Sequence, residues 1–251
     1  MTERTLRNKN VLIAGGGKNL GGLIARQSAE AGANVAIHYN SESSRPDAEA
    51  TLAAVEDQGV NGVLLSGDLT RAAAVEQLFT DAEAALGPID IAVNTAGKVL
   101  RKPIVDTSEA EYDSMFDINS KAAYFFIKEA GKHLSDGGKI ITIVTALLAA
   151  FTDGYSTYAG GKSPVEHFTR AAAKEFGERG ISVTAIAPGP MDTPFFYGQE
   201  TPERVEFHKS QALGNQLTQI EDIAPIVRFL ATEGWWITGQ TIFANGGYTT
   251  R

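Results

Sequence analysis

Short apolar runs alternate with longer amphipathic stretches from one end of the chain to the other. Val11-Leu12-Ile13-Ala14, Val35-Ala36-Ile37, Val63-Leu64-Leu65, Ile89 to Val93, Ile140 to Val144, Ile181 to Ile186 and Thr241-Ile242-Phe243 read as strands. Several are apolar at successive positions instead of every second one, the pattern of parallel strands covered on both faces. Segments 20–31, 46–58, 70–86, 107–134, 156–179 and 221–231 read as helices. Strand–helix alternation at this spacing implies right-handed βαβ crossovers and a single α/β domain over residues 1–251, doubly wound around a mainly parallel sheet of about seven strands. Residues 190–215 stand apart. Pro190, Pro194, Gly198, Pro202 and Gly214 interrupt any regular period there, and an insertion of this length in a compact domain predicts a functional segment, here a substrate lid.

Composition narrows the class. The 251 residues carry 22 basic and 30 acidic side chains, a net charge of −8, which argues against nucleic acid or an anionic membrane as the partner. With no cysteine, disulfides, zinc–thiolate sites, iron–sulfur clusters and a cysteine nucleophile are all excluded. The four histidines (His38, His133, His167, His208) lack metal-ligand spacing and read as structural or surface residues. The opening MTERTLRNKN contains no apolar run, and no later apolar stretch reaches transmembrane length, so the expectation is a cytoplasmic protein.

The first strand runs into Gly15-Gly16-Gly17-Lys18-Asn19-Leu20-Gly21-Gly22 and then into a helix. A strand, a glycine turn and a helix N-terminus bring free backbone N–H groups and the positive helix end together, a cradle for a pyrophosphate. After the second strand, Tyr39-Asn40-Ser41 carries no carboxylate to bind the ribose hydroxyls or repel a 2′-phosphate. Lys18 and Arg45 offer positive charge nearby. NADP(H) is therefore expected over NAD(H). Tyr158 and Lys162 stand four apart at the start of a helical segment, on one face, where an ammonium favours a phenolate useful for proton transfer. Gly160 and Gly161 between them suggest a close approach to another backbone or to a ligand.

These features recur in one order along the whole chain, which resembles the short-chain dehydrogenase/reductase family with its Rossmann domain. Gly15, Asn19 and Gly21 fall where that family has its TGxxxGxG turn. Asp68-Leu69 falls where it contacts adenine, and Asn94-Thr95-Ala96-Gly97 resembles its NNAG segment. Asn119 matches its helix asparagine, Tyr158 to Lys162 its YxxxK, and Pro188-Gly189-Pro190 with Thr193 its PG…T segment. The resemblance implies that Tyr158 exchanges a proton with a carbonyl or alcohol oxygen, and that Lys162 binds the nicotinamide ribose and lowers the tyrosine pKa. It implies that Asn119 anchors a proton-relay water and that Thr193 helps hold the carboxamide. Hydride transfer between NADP(H) and a ketone, an aldehyde or a secondary alcohol is the expected reaction.

Two positions depart from the family pattern. Asn19 replaces the middle glycine of the turn, as in pteridine-reductase-like members, and asparagine tolerates the left-handed backbone the turn needs. The family serine, 13 positions before the tyrosine, is Thr145 here; it shares strand parity with Ile141 and Ile143 and keeps a hydroxyl, whereas a one-residue slip would put Ala146 there. A pterin or 3-oxoacyl-carrier reductase is the narrower alternative, and a non-catalytic NADP(H)-sensing protein the alternative of another class. The resemblance also implies a homo-oligomer, most simply a tetramer, with Phe125, Phe126, Phe168 and Phe176 as apolar material between subunits. Phe195, Phe196 and Tyr197 are candidates for an apolar substrate wall; Arg101 and Lys102 are candidates for its mouth, and Trp235-Trp236 for packing.

Overall fold

A computed structural model describes residues 6–250; the first five of the ten opening residues weighed above for a leader segment lie outside the described range. Seven strands form one sheet: β1 (Asn10–Ala14), β2 (Asn34–Tyr39), β3 (Gly62–Ser66), β4 (Ile89–Asn94), β5 (Leu134–Ile143), β6 (Ser182–Pro188) and β7 (Thr241–Ala244). All pairs are parallel, in the order β3-β2-β1-β4-β5-β6-β7. Strands are added outward from β1 to β3 and then from β4 on the other side of β1, so a crevice opens at the C-terminal ends of β1 and β4, where the winding reverses.

Helices cover both faces, which is why β1 is buried at every position and shows no alternation. One layer contains α1 (Asn19–Glu30), α2 (Arg45–Glu56) and α9 (Ile220–Ala231), with Ile13, Ile24, Val35 and Val227 in its core. The other contains α3 (Ala72–Leu86), α4 (Glu109–Phe116), α5 (Ala122–His133) and α6 (Ser156–Glu175). Its core includes Leu12, Phe79, Phe126 and Ile140. Alternate residues along a strand therefore feed opposite cores.

Three sequence expectations change. The 107–134 helix is broken by a π-helical turn at Asp117–Lys121, between α4 and α5. Segment 190–215 contains α7 (Pro194–Tyr197) and α8 (Pro202–Ser210), because Pro194 and Pro202 sit in the first helical turn, where a missing N–H costs nothing. The phenylalanines assigned to a subunit contact pack within their own chain. Phe126 is fully buried against Phe79, the Phe176 ring fills the space over Gly131, and Phe125 and Phe168 lean on the core. Trp235 and Trp236, read as core or subunit-contact residues, lie outside the core at 38% and 80% exposure and pack edge-on against each other.

Candidate active site

The glycine turn is built by close approach. Gly15 has φ of +74°, and a Cβ on Gly21 would lie 2.2 Å from the Gly15 carbonyl oxygen, so α1 begins against the end of β1 only because residue 21 has no side chain. Asn19 adopts φ of +48°, the left-handed conformation expected of it. Neighbouring side chains hold the turn's backbone: Thr95 Oγ1 donates to the Ala14 and Gly15 carbonyls at 2.8 and 3.1 Å, and Thr51 Oγ1 donates to Gly17 O at 2.8 Å. Buried His38 accepts from the Gly15 N–H at Nδ1 (3.2 Å) and bonds Gly67 O through Nε2 (2.9 Å). That pair of contacts fixes the neutral Nε2–H tautomer, and burial holds the histidine pKa below its ordinary value. Sequence reading missed Thr51, named Thr95 only as part of the Asn94–Gly97 segment, and read His38 as a structural or surface residue; its place at the end of β2 was the available signal.

A cleft of about 540 Å³ follows this turn across the sheet ends. Gly15, Gly17, Lys18, Asn19, Leu20 and Gly21 line one end, with Tyr39, Asn40, Asp68 and Leu69; Ala96, Gly97, Tyr158, Lys162 and Thr193 line the other. Four anticipated residues sit elsewhere. Ser41 caps the short turn Glu42–Ser44, and Ser44 lines the cleft in its place. Asn94 lies beneath the floor, its Oδ1 accepting from the Ala96 N–H at 3.0 Å. Pro188 and Gly189 line an adjoining pocket. Asp68 has a local task as well, accepting from the Thr70 N–H and hydroxyl at 3.0 and 2.8 Å. Lys18 is engaged by Asp47 at 2.9 Å, and Arg45 is turned to Glu42 and Glu49.

At the inner end, α6 brings Tyr158 and Lys162 to the tip of β5. It packs closely on α4 and the π-helical turn, since a Cβ on Gly161 would lie 3.3 Å from Asn119 Cβ and from Met115 O. Gly161 thus answers to a neighbouring element, one of the two explanations expected. Lys162 Nζ donates to Ile143 O at 2.9 Å, and burial pushes its pKa down to about 8. Burial likewise pushes the Tyr158 phenol up to about 12, only partly offset by a hydrogen bond with the Thr145 hydroxyl. Asn119, within the π-helical turn, accepts from Lys98 N at 3.2 Å and donates to Lys98 O at 2.8 Å. A Cβ on Gly97 would meet Asn119 Oδ1 at 3.0 Å and Lys162 Nζ at 3.2 Å, so these polar groups crowd one point.

Thr145 continues β5 in extended conformation (φ −155°, ψ 146°), which keeps the strand parity that turns its hydroxyl toward Tyr158. Its Oγ1 also accepts from Leu147 N at 3.2 Å, while buried Ala146 opens the following 3-10 turn. Beyond Tyr158 the cleft adjoins a second pocket of about 80 Å³, walled by Val99, Leu147, Tyr155, Met191, Phe195 and Phe196. Tyr197 turns away and donates to Asp192 at 2.7 Å. Arg101 sits behind the wall, and Lys102 is engaged by Glu111 at 2.8 Å.

A fold of this strand order, with a glycine cradle at the switch point and a Tyr–Lys pair beside a hydroxyl at its inner end, defines a dinucleotide-dependent oxidoreductase class. Comparisons with known proteins give the family. A family model described as Enoyl-(Acyl carrier protein) reductase matches residues 15–249. A putative dehydrogenase from Burkholderia cenocepacia, solved with bound NADP, is 60% identical with a TM-score of 0.97, covering 100% of this chain and 97% of its own. A blue fluorescent protein from a metagenomic library, solved with NADPH, is 32% identical with a TM-score of 0.93, covering 98% of this chain and all of its own. An Arabidopsis thaliana protein named NADPH-dependent aldehyde reductase-like protein, chloroplastic, is 32% identical over 97% of this chain and 95% of its own. The chain belongs to the short-chain dehydrogenase/reductase family. Among the described residues no helix is long and apolar enough to cross a membrane.

Proposed function

We propose that the protein is an NADP(H)-dependent oxidoreductase that interconverts a small ketone or aldehyde with the corresponding alcohol. One observation carries the reading: Tyr158 lines both the cofactor-sized cleft and the small apolar pocket, with Thr145 hydrogen-bonded to it and Lys162 one helical turn away. The glycine cradle fits a pyrophosphate, since a side chain at Gly21 would close it. NADP(H) is the cofactor: two neighbours are solved with it, and no carboxylate stands at Tyr39-Asn40-Ser41. When bound, NADPH supplies the hydride.

The chain's own residues do the rest. The turn from Gly15 to Gly21 holds the phosphates, Lys18, Asn40 and Ser44 face the adenosine end, Asp68 and Leu69 flank the base, and Asn94 fixes the Ala96–Gly97 backbone. Pro188, Gly189 and Thr193 orient the nicotinamide end, and Lys162 reaches its ribose. Thr145 donates to the substrate carbonyl oxygen, polarising it, and Tyr158 delivers the proton to that oxygen. With its pKa raised by burial, the phenol is held protonated, the state a carbonyl reduction requires. Asn119 holds the Lys98 backbone behind Lys162 on the proton route to solvent. Residues 190–215 form the lid of the substrate pocket, and the working unit is a homotetramer, as in the family. Assay of NADPH oxidation against small ketones and aldehydes tests this reading. Tyr158→Phe should lower kcat by at least a thousandfold while leaving NADPH affinity within about threefold, and retained turnover would refute the assignment.

A further inference from the structure

Behind the apolar wall lies a cluster of charged side chains that the proposed chemistry does not use. The Glu200 carboxylate is completely buried. It accepts from Tyr155 OH at 2.5 Å and from Arg204 Nε at 2.8 Å, and lies 3.1 Å from His208 Nε2 and 3.8 Å from Arg101 Nε. Exposed Asp153 bridges the same two arginines, at 3.1 Å from Arg101 and 3.2 Å from Arg204. Burial alone would raise the Glu200 pKa, but its hydrogen bonds and the neighbouring cations hold it below the ordinary value, so it is ionised at neutral pH. Burial pushes His208 the other way, and its Nδ1 is taken by Tyr248 OH at 2.9 Å. The charges therefore balance: two guanidiniums against two carboxylates, with a neutral imidazole between.

This balance decides what the pocket can recognise. Tyr155 and His208 line it, but their polar atoms are committed to Glu200 and Tyr248. Arg101 and Arg204, the cations of this cluster, face Glu200 and Asp153 instead of the pocket. An anionic substrate group would lose its water and meet no lysine or arginine among the described residues that line the pocket, in a chain whose net charge is already −8. The cavity, about 80 Å³ between Phe195, Phe196, Val99 and Leu147, suits one compact apolar group such as a single ring or a branched alkyl group.

We infer that the substrate is an uncharged carbonyl compound bearing one compact apolar group, and that Glu200 enforces this selectivity by neutralising Arg101 and Arg204. The inference rests on the oxidoreductase reading above. Its test compares 2-pentanone, 4-oxopentanoate and methyl 4-oxopentanoate, which share the methyl ketone and differ in terminal charge, together with acetophenone and 2-acetylnaphthalene. The wild-type kcat/KM should be at least a hundredfold lower for the carboxylate than for 2-pentanone, with the ester close to the ketone and acetophenone well above 2-acetylnaphthalene. Glu200→Gln should shrink the charge discrimination at least tenfold by releasing the guanidiniums, mainly through KM for the acid. Asp153→Asn, at an exposed position that does not threaten the fold, should act in the same direction by a smaller factor. Turnover of the carboxylate as readily as the ketone, or unchanged discrimination in both variants, overturns the inference alone. No reduction of any compound by an enzyme that binds NADPH overturns the oxidoreductase reading and the inference with it.

Discussion

Replacing Lys162 with methionine should destroy turnover and yet make the cofactor-free protein less dependent on pH for its stability. The amine is buried at the tip of β5, with Ile143 O 2.9 Å from Nζ, and its pKa falls from 10.5 to about 8. Between those values the unfolded chain binds more protons than the folded one, so wild-type stability climbs as pH rises from 8 toward 10.5 and is lowest below that window. Converted at 1.36 kcal/mol per pKa unit, holding the ammonium in the fold at pH 7 costs about 3 kcal/mol. Methionine removes that cost but orphans the Ile143 carbonyl, a loss of about 1–3 kcal/mol. At pH 7 the two nearly cancel. At pH 10 most of the ammonium cost has gone from the wild type, so the variant's relative stability should fall by about 2 kcal/mol between pH 7 and 10. Urea unfolding followed by circular dichroism, at one fixed protein concentration, measures the difference. Curves for the two proteins that stay parallel across this pH range would refute the buried-ammonium argument. NADPH titration of the same variant should show weakened binding, separating the stability effect from the functional one.

NADPH should bind more tightly than NADH in a fluorescence titration, and Asp47→Asn, by freeing Lys18, should widen that preference, whereas Lys18→Ala should narrow it by about tenfold. Equal affinities in the wild type would remove the charge argument. Gly21→Ala should abolish cofactor binding or cost at least about 3 kcal/mol of stability, because the added carbon would lie 2.2 Å from Gly15 O; a thermal melt with and without NADPH reads both. Thr145→Ser should retain kcat, while Thr145→Val should lower it by about a hundredfold to a thousandfold, as removal of one preorganised donor does. A neutral Thr145→Val combined with a strong gain in Ala146→Ser would reassign the donor.

The sheet was legible because its strands are buried on both faces: Val11 to Ala14 and Ile181 to Ile186 can be read from apolar continuity alone. The glycine turn and the Tyr158–Lys162 pair were legible because each is a short local pattern on one element. The π-helical turn at Asp117–Lys121 was not, since one extra residue per turn leaves the amphipathic period of 107–134 almost unchanged. Segment 190–215 read as irregular because Pro194 and Pro202 break a helix from the inside but begin one at the first turn. The pairing of Lys18 with Asp47 joins α1 to α2 across 29 positions, and no sequence period connects them.

The two halves of the site are built from different materials, and this bears on how each can change. On the cofactor side, functional groups stand at strand ends whose neighbours are almost wholly buried; Ala14, Val93 and Ile143 admit little movement. A substitution there disturbs the core and the phosphate cradle together. The apolar pocket beyond Tyr158 is walled in part by residues 190–215, anchored by an apolar cluster of Phe196, Val205 and Leu217 and by the hydrogen bonds of Glu200 and His208. Those anchors reach Arg101, Tyr155 and Tyr248, on three segments outside 190–215. No local pattern announces Glu200, yet its carboxylate links segment 190–215 to the pocket wall and sets the charge behind it. Exchanging a residue of 190–215 together with its partner leaves the sheet untouched, so this half of the site can change at less cost to the core than the other. In this chain that coupling runs through Glu200 and Arg204 in this segment and Arg101 and Tyr155 on the core side, so Glu200→Gln alone should loosen the charge discrimination, and full acceptance of an anionic substrate should require substitutions on both sides together.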